Sequence, residues 1–494
     1  RFIGFGGNWG FGESNLNYRE REYDIAVAYH ADMNFTMIRN WVGQIGDKEF
    51  YEACDRHGIM VWQDFWLANP VDGPNPYYTE MFNANACDYL KRIRNHPSIG
   101  IYVGRNEGNP PAGIDDYLRG LVFREHPGLY YISNSAMGVV SGGGPYRALS
   151  PKSYFQSYGH DKFHSERGMP NVMNYESMLL TFGTDKIEPV NTSETPNPVY
   201  GLHDYTLGGG KGSSAQAASS FNDMIEKAFG RPRDAKQFAE WAQWINYDGY
   251  RAIFEGRSEH RRGMLLWMSH SAWPSMVWQT YDYYFDPNAA YFGCKKASEP
   301  LHIQWNPLRD DIEVVNYHAF DRTGLTATAS LFNQDGTLQW TRETKLDIKE
   351  DQTVACFPLE QPETLSDTYF IKLSLTDSDG KQLSDNFYWR GKEDGNYKSL
   401  LQLPKVSVCK NVTVKKTGKE WLIRAVLKNE ARTPALMLRL KVAGEKSGRM
   451  LLPVFYSDNY FSLLPGEVKE VDIRLYDADT YGEKPVLEVL GFNL

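Results

Sequence analysis

The sequence predicts an α/β chain: an eight-fold (β/α)8 TIM barrel over residues 1–300, then two immunoglobulin-like β-sandwiches over 301–394 and 395–494. Three observations carry this. As far as residue 300, short apolar runs alternate with helix-like segments, and the runs are apolar throughout, as in a parallel sheet covered on both faces. No glycine-rich phosphate fingerprint follows the first run, which argues against a dinucleotide-binding open sheet and favours the barrel. After Pro300 the apolar period falls to two and turn clusters break the runs, which is the pattern of sandwiches.

The first run is Phe2 to Gly6, followed by a helix over Tyr18 to Met33 and a second run at Phe35 to Asn40. Asp47 is placed to cap the helix KEFYEACDRH, and Gly58 to stop it. The third run is Ile59 to Phe65. A helix over Met81 to Asn95 stops at His96-Pro97, and the fourth run, Ile99 to Val103, leads into a Gly/Pro-rich turn carrying Asn106 and Glu107. A helix over Ile114 to Glu125 precedes the fifth run, Leu129 to Ser133. Weaker strands are expected at Tyr154 to Gln156 and Phe163 to Ser165. A long helix, Ala235 to Phe254, precedes the eighth strand, Met264 to Met268. The stretch from Glu176 to Arg233, with TLGGGKGSSAQAASS, reads as a loose insertion, either a surface loop or a rim over the barrel mouth.

In the first sandwich, IEVVNYHAF, LTATASLF and TYFIKLSLT alternate around turns at Gln334-Asp335-Gly336 and Asp377 to Gly380. A polar break at Lys392 to Tyr397 precedes the second, with strands near VTVKK, WLIRAVLK, LMLRLKVA and KEVDIRLY.

Composition narrows the function. With 13 Trp and 31 Tyr the chain has many flat apolar faces, which suit the faces of sugar rings. A net charge of −9 argues against a nucleic-acid partner. Cys54, Cys87, Cys294, Cys356 and Cys409 are scattered, without CxxC pairs, and imply neither a disulfide framework nor a zinc site. No apolar run reaches membrane-spanning length. The chain opens on Arg1 with a strand-like RFIGFGGNW and reads as the later part of a longer protein, which leaves localisation and oligomeric state unassigned.

Barrel chemistry sits where strands end at the C-terminal face. Those ends supply Arg39, Asn40 and Trp41, then Trp62, Gln63 and Asp64, then Asn106 and Glu107, then Glu166 and finally Trp267. Two carboxylates facing one hole is the arrangement of glycoside hydrolysis, in which one acid protonates the leaving oxygen and one carboxylate attacks or activates water. At a separation of about 5.5 Å and an effective dielectric of about 20, their repulsion is roughly 3 kcal/mol. That corresponds to about two pKa units, enough to keep one of the pair protonated near neutrality. When the nucleophile becomes an ester its charge disappears, and its partner is released to act as base toward water. Arg39, if it points inward, stabilises the ionised nucleophile and draws its pKa down, which makes Glu166 the nucleophile and Glu107 the acid/base. His160 and His164 are four apart with no helical signal and do not read as a metal pair.

These residues carry a family resemblance. The Asn-Glu after strand four, the Ser-Glu-x-Gly after strand seven and WMSHSAWPSMVWQTYDYYFDPNAAYFGCKKASEPLHI at the barrel exit resemble glycoside hydrolase family two. Within it the chain is similar to the branch of β-mannosidases, mannosylglycoprotein endo-β-mannosidases and exo-β-D-glucosaminidases. The resemblance extends to the closing DNYFSLLPGEVKEV. It implies a retaining two-carboxylate mechanism on an oligosaccharide, without cofactor or metal, in a secreted or periplasmic setting. It implies Glu107 as acid/base, Glu166 as nucleophile and Asn106 near the sugar 2-position. Arg39, Trp41, Asp64, Trp267 and Trp273 would be substrate contacts, with Trp267 the platform under the sugar. VWQDFW and the Asn-Glu pair favour a β-mannoside; WPSMVWQTYDYYFDPNAAYFG is at least as close to the exo-glucosaminidases. A non-catalytic carbohydrate-binding protein on a degenerate barrel is the alternative of another class. Three departures stand out: Arg167 follows the Ser-Glu where the family has an aromatic, only 59 positions separate the two glutamates, and the family's N-terminal domains do not precede the barrel in this chain.

Overall fold

The computed structural model describes residues 2–157, 162–207, 218–260 and 262–494. Eight parallel strands form one curled sheet: β1 (Phe5–Trp9), β2 (Met37–Asn40), β3 (Met60–Asp64), β4 (Ile99–Arg105), β5 (Tyr130–Asn134), β6 (Val140–Ser141), β7 (Phe163–Arg167) and β8 (Met264–Leu266). The spatial order is β5-β4-β3-β2-β1-β8-β7-β6, so β1 closes on β8 and the barrel seam falls between β5 and β6. Among the described residues no backbone ladder crosses that seam. The Ser165 hydroxyl spans it, 2.7 Å from the carbonyl of Ser135 and 3.0 Å from that of Ser141. Inside the barrel Met37, Trp62, Val103, Val140 and Leu265 pack into a closed layer, so the hole is filled below the mouth.

The helices on the outside follow the expected alternation: α1 (Glu20–Asp32), α2 (Lys48–His57), α3 (Thr79–Ile93), α4 (Ala112–Glu125), α5 (Pro151–Gln156), α6 (Tyr175–Phe182), α7 (Pro198–Leu202), α8 (Ser219–Phe229), α9 (Ala235–Glu255) and α10 (Ala289–Ala297). Gly58 stops α2 at φ 70°, a left-handed conformation in which a side chain is strained. Asp47 occupies the position before α2, but its carboxylate accepts the Tyr23 hydroxyl at 2.7 Å instead of a helix N–H.

Four expectations change. The first strand runs Phe5–Trp9 rather than Phe2 to Gly6, because Gly6 and Gly7 are strand residues and not a turn; Asn8 then ties the barrel, donating to the carbonyls of Ser165 and Leu266. Residues 154–156 lie in α5, not in a strand. Ser150 caps that helix onto the Ser153 N–H and Pro151 sits at its first position, a start signal stronger than the aromatic pair that suggested a strand. The sixth strand is only Val140–Ser141, too short to show as an apolar run. The insertion carries α6, α7 and α8; its glycine-rich centre at 208–217 and His160 both lie outside the described residues.

Beyond Pro300 the sheets are antiparallel. In the first sandwich Leu301–Asn306, Asp311–Asn316 and Gln352–Pro358 face a sheet of Arg322–Asn333, Leu338–Ile348, Thr368–Thr376 and Gln382–Gly391. In the second, Val408–Thr417, Glu420–Asn429, Val468–Tyr476 and Val454–Tyr456 face Ala435–Gly444, Phe461–Leu463 and Pro485–Leu490. The first sandwich has its own core around Ile303, Leu331 and Ile371, whereas the core of the second runs on into the barrel's helical layer. Arg251 of α9 bridges to the first sandwich, donating at 2.8 Å to both the Asn386 side chain and the Phe387 carbonyl. Among the described residues no helix is long and apolar enough to cross a membrane.

Candidate active site

Arg39 is the hub of the mouth. β2 ends in Arg39-Asn40, and the parallel register places Arg39 opposite Trp62 on β3 and Asn8 on β1, so its guanidinium points into the hole. Its side chain is 0% exposed. Nη1 donates to Glu166 Oε1 at 2.7 Å, Nη2 to Asn106 Oδ1 at 2.7 Å, and Nε and Nη2 to Asp64 Oδ2 at 3.0 and 2.8 Å. One planar cation thus joins the ends of strands two, three, four and seven.

Asp64 faces inward. Its Oδ2 also accepts the Val42 N–H at 2.9 Å and its Oδ1 the Trp62 indole N–H at 2.7 Å, with the side chain fully buried. Expected as a substrate contact, Asp64 has no surface left for a substrate; it fixes the rotamer of Arg39, whose guanidinium carbon also lies 5.3 Å over the Trp62 ring.

Glu166 sits at the exit of β7, 3% exposed, with both oxygens held: Oε1 by Arg39 and Oε2 by the Tyr146 hydroxyl at 2.6 Å. Burial pushes its carboxyl above the ordinary carboxylate value; Arg39 and Tyr146 pull against that and the charge of Glu107 adds to it. Arg39, expected from the sequence to draw this value down, does not prevail, because full burial of the carboxylate outweighs a guanidinium that is shared with Asp64. Burial, with Glu166 beside it, also holds the Tyr146 phenol far above its ordinary value, so Tyr146 acts as a donor.

Glu107 follows β4 in a left-handed conformation at φ 47°, held by its N–H donating to Ser135 Oγ at 3.0 Å. Its carboxyl lies over Gly143, where an added Cβ would come within 3.3 Å of Oε1, so a glycine gives it room. The same Ser135 Oγ reaches Asn106 Oδ1 at 3.3 Å. With Arg39 and Ser135 both donating to it, Asn106 Oδ1 is fixed as an acceptor, and the amide NH2 is the group left for a ligand.

The aromatic wall comes from the loop after β8. Trp267 packs edge-on to Trp41 at 4.9 Å and to Tyr146 at 6.4 Å, and Tyr146 meets Trp278 at 5.7 Å. Gly168 lets β7 approach this wall, since a Cβ there would lie 2.1 Å from the Trp267 carbonyl. Trp273, in the same loop, is 39% exposed and stacks on His203 of the insertion at 6.1 Å. His164 is engaged in packing: its Nδ1 accepts from Ser141 Oγ at 2.7 Å and its Nε2 donates to the Gly144 carbonyl at 3.0 Å. Arg167 turns away from the mouth, donating to Ser157 Oγ at 2.6 Å with its guanidinium over the Tyr154 ring.

Two residues of this site escaped the sequence reading. Tyr146 follows β6, and with the sixth strand expected at 154–156 it fell at no strand exit; Ser135 directly follows β5, a strand whose exit supplied no candidate. The turn-rich SGGGP run before Tyr146 is the signal that places it there.

The chain resembles known glycosidases over nearly its whole length. Residues 386–494 match the exo-β-D-glucosaminidase Ig-fold domain. Over 99% of its length the chain is 26% identical to a mannosylglycoprotein endo-β-mannosidase of Lilium longiflorum, and over 97% it is 28% identical to an exo-β-D-glucosaminidase of Amycolatopsis orientalis. The chain is a homologue of these glycosidases. It spans 62% and 51% of their respective lengths. Its fold is that of the Amycolatopsis orientalis exo-chitosanase CsxA, with a TM-score of 0.88 at 24% identity over 99% of this chain and 63% of that one. It is also that of a Dictyoglomus thermophilum β-D-mannosidase, with a TM-score of 0.76 at 20% identity over 99% and 60%.

Proposed function

We propose that this chain carries the active site of a retaining β-glycosidase that cleaves β-mannosidic linkages of oligosaccharides, with Glu166 as nucleophile and Glu107 as acid/base. Glu107 gives its proton to the glycosidic oxygen as the bond to the anomeric carbon breaks. Glu166 attacks that carbon from the opposite face and forms a glycosyl ester. Glu107, now a carboxylate, takes a proton from water, which displaces Glu166 and restores both groups with the anomeric configuration retained. A nucleophile whose pKa is raised by burial is the more basic carboxylate once ionised, and Arg39 and Tyr146 oppose that rise and orient the carboxylate. As the ester forms, the negative charge leaves Oε1 and Arg39 remains paired with Asp64, so no isolated buried cation results.

The observation that carries the substrate reading is Asn106. With Oδ1 taken by Arg39 it offers only N–H donors to the 2-position of a sugar. A 2-hydroxyl accepts such a bond; a protonated 2-amino group has only donors and cannot. The third carboxylate of the mouth, Asp64, is spent on Arg39, Val42 and Trp62 and cannot serve an ammonium group. The test is turnover of aryl β-mannoside, β-glucosaminide, β-galactoside and β-glucuronide by the purified protein. The mannoside is expected to lead; turnover of the glucosaminide alone would overturn the assignment.

A second reading, an exo-β-D-glucosaminidase acting on chitosan-type oligosaccharides, is equally supported by comparison with known proteins, through the whole-chain likeness to an exo-β-D-glucosaminidase and the glucosaminidase-type match of residues 386–494. Those residues build the second sandwich and the end of the first, remote in sequence from every strand exit of the mouth, so they bear on ancestry more than on the 2-position.

A further inference from the structure

The loop from β3 to α3 packs against the exit of β4 and displays large aromatic side chains. The Asn106 N–H donates to the Leu67 carbonyl at 3.0 Å. Arg105, only 3% exposed, grips the same loop, donating from Nε to the Ala68 carbonyl at 2.7 Å, from Nη1 to Asn75 Oδ1 at 2.7 Å and from Nη2 to the Gly73 carbonyl at 3.3 Å. Pro70 lies against Gly108, where a Cβ would come within 2.8 Å of its ring. The loop is therefore fastened on both sides of Glu107.

Phe65 is buried, but the other three rings of the loop are displayed. Trp66 is locked by its indole N–H on the Gly43 carbonyl at 3.1 Å and by edge contact with Phe82 at 5.9 Å, yet remains 37% exposed. Tyr77 and Tyr78, at the start of α3 and so at the mouth end of the barrel, are 89% and 74% exposed. Rings of this kind suit a sugar, stacking on its C–H face while the phenol or indole edge meets its hydroxyls.

We propose that Trp66, Tyr77 and Tyr78 form a leaving-group subsite, an aromatic ledge that stacks the sugar residues on the far side of the cleaved bond. The proposal rests on the reading of Glu107 as acid/base: the group that protonates the glycosidic oxygen faces the departing sugar, so the loop fastened beside it lies on the departing side. The ledge makes a β-linked oligosaccharide, not a small aryl group, the leaving group for which the mouth is built.

The test compares kcat/KM for β-1,4-mannotetraose with that for an aryl β-mannoside in the wild type, in Trp66→Ala and in the double variant Tyr77→Ala/Tyr78→Ala. The ratio of oligosaccharide to aryl glycoside is expected to fall about three- to tenfold in each. An unchanged ratio overturns the ledge, as it would if these rings are covered by polypeptide instead of sugar. Should the protein cleave no glycoside, the catalytic reading fails but the ledge is still measured: mannotetraose is titrated into Glu166→Gln with and without the ring substitutions. Weakening of about threefold or more supports it, and equal behaviour of parent and variants, binding by neither included, overturns it.

Discussion

Arg39 Nη1 lies 2.7 Å from Glu166 Oε1 while the same guanidinium is clamped from behind by Asp64 Oδ2 at 2.8 Å. Two buried carboxylates share one cation. Under the proposed mechanism the pair Arg39–Glu166 sets the charge of the nucleophile, and the pair Arg39–Asp64 sets the position of Arg39.

Removing the cation moves the acid limb of the pH profile. As the proposed nucleophile Glu166 must be ionised to attack, and burial already holds it above the ordinary glutamate value of 4.5. Arg39→Met removes the strongest downward pull, so ionisation and activity are lost at a higher pH than in the wild type. The pH dependence of kcat/KM checks this: the acid limb shifts upward, and the plateau falls by about a hundredfold or more, as expected for loss of a buried charge-assisted hydrogen bond.

Tyr146→Phe removes the donor 2.6 Å from Glu166 Oε2 with little change in shape. A hydrogen bond to a charged group contributes about 1.5–3 kcal/mol, so kcat falls about ten- to a hundredfold. The acid limb moves in the same direction as in Arg39→Met, because both groups lower the Glu166 value.

Asp64→Asn leaves Arg39 fully buried with one charged partner instead of two, and a broken buried pair costs about 3–5 kcal/mol. Urea unfolding at pH 7 reads the loss as a lower midpoint at unchanged slope. Activity is expected to fall as well, because the fully buried Asp64 positions Arg39.

Stability itself carries the signature of Glu166. Its folded pKa lies above its unfolded one, so the fold favours the protonated form, and ionisation destabilises the native state. The wild type therefore loses stability relative to Glu166→Gln as pH rises from the ordinary value of 4.5 through the raised folded value, and the gap is constant above that. Unfolding midpoints of the two proteins across this window check the sign; a gap that moves the other way would mean that Arg39 outweighs burial.

Much of this was legible in the residues. Lys48–His57 was bounded on sequence by Asp47 and Gly58, and the exits of β2, β3, β4, β7 and β8 were read closely enough to place Arg39, Asp64, Asn106, Glu107, Glu166 and Trp267 around one mouth. What failed to show was short or depended on burial. Two residues of β6 carry no period, so Tyr146 had no strand to follow. The sign of the Glu166 shift depends on desolvation, which no spacing reveals. Asp64 was expected as a contact because VWQDFW resembles the family's pattern, whereas its donors Arg39, Val42 and Trp62 occupy the carboxylate and leave it fully buried.

Asn106→Asp exchanges a donor for an acceptor toward the 2-position while keeping a partner for Arg39. The ratio of kcat/KM on aryl β-mannoside to that on aryl β-glucosaminide is expected to fall tenfold or more, about the size of one charged hydrogen bond gained by an ammonium group.

The most direct test of the mechanism is to trap the covalent intermediate. Incubation with 2-deoxy-2-fluoro-β-mannosyl fluoride, followed by proteolysis and mass spectrometry, is expected to find the sugar as an ester on Glu166, with turnover of a β-mannoside releasing the β-anomer first. A label on another residue, or release of the α-anomer, would contradict it.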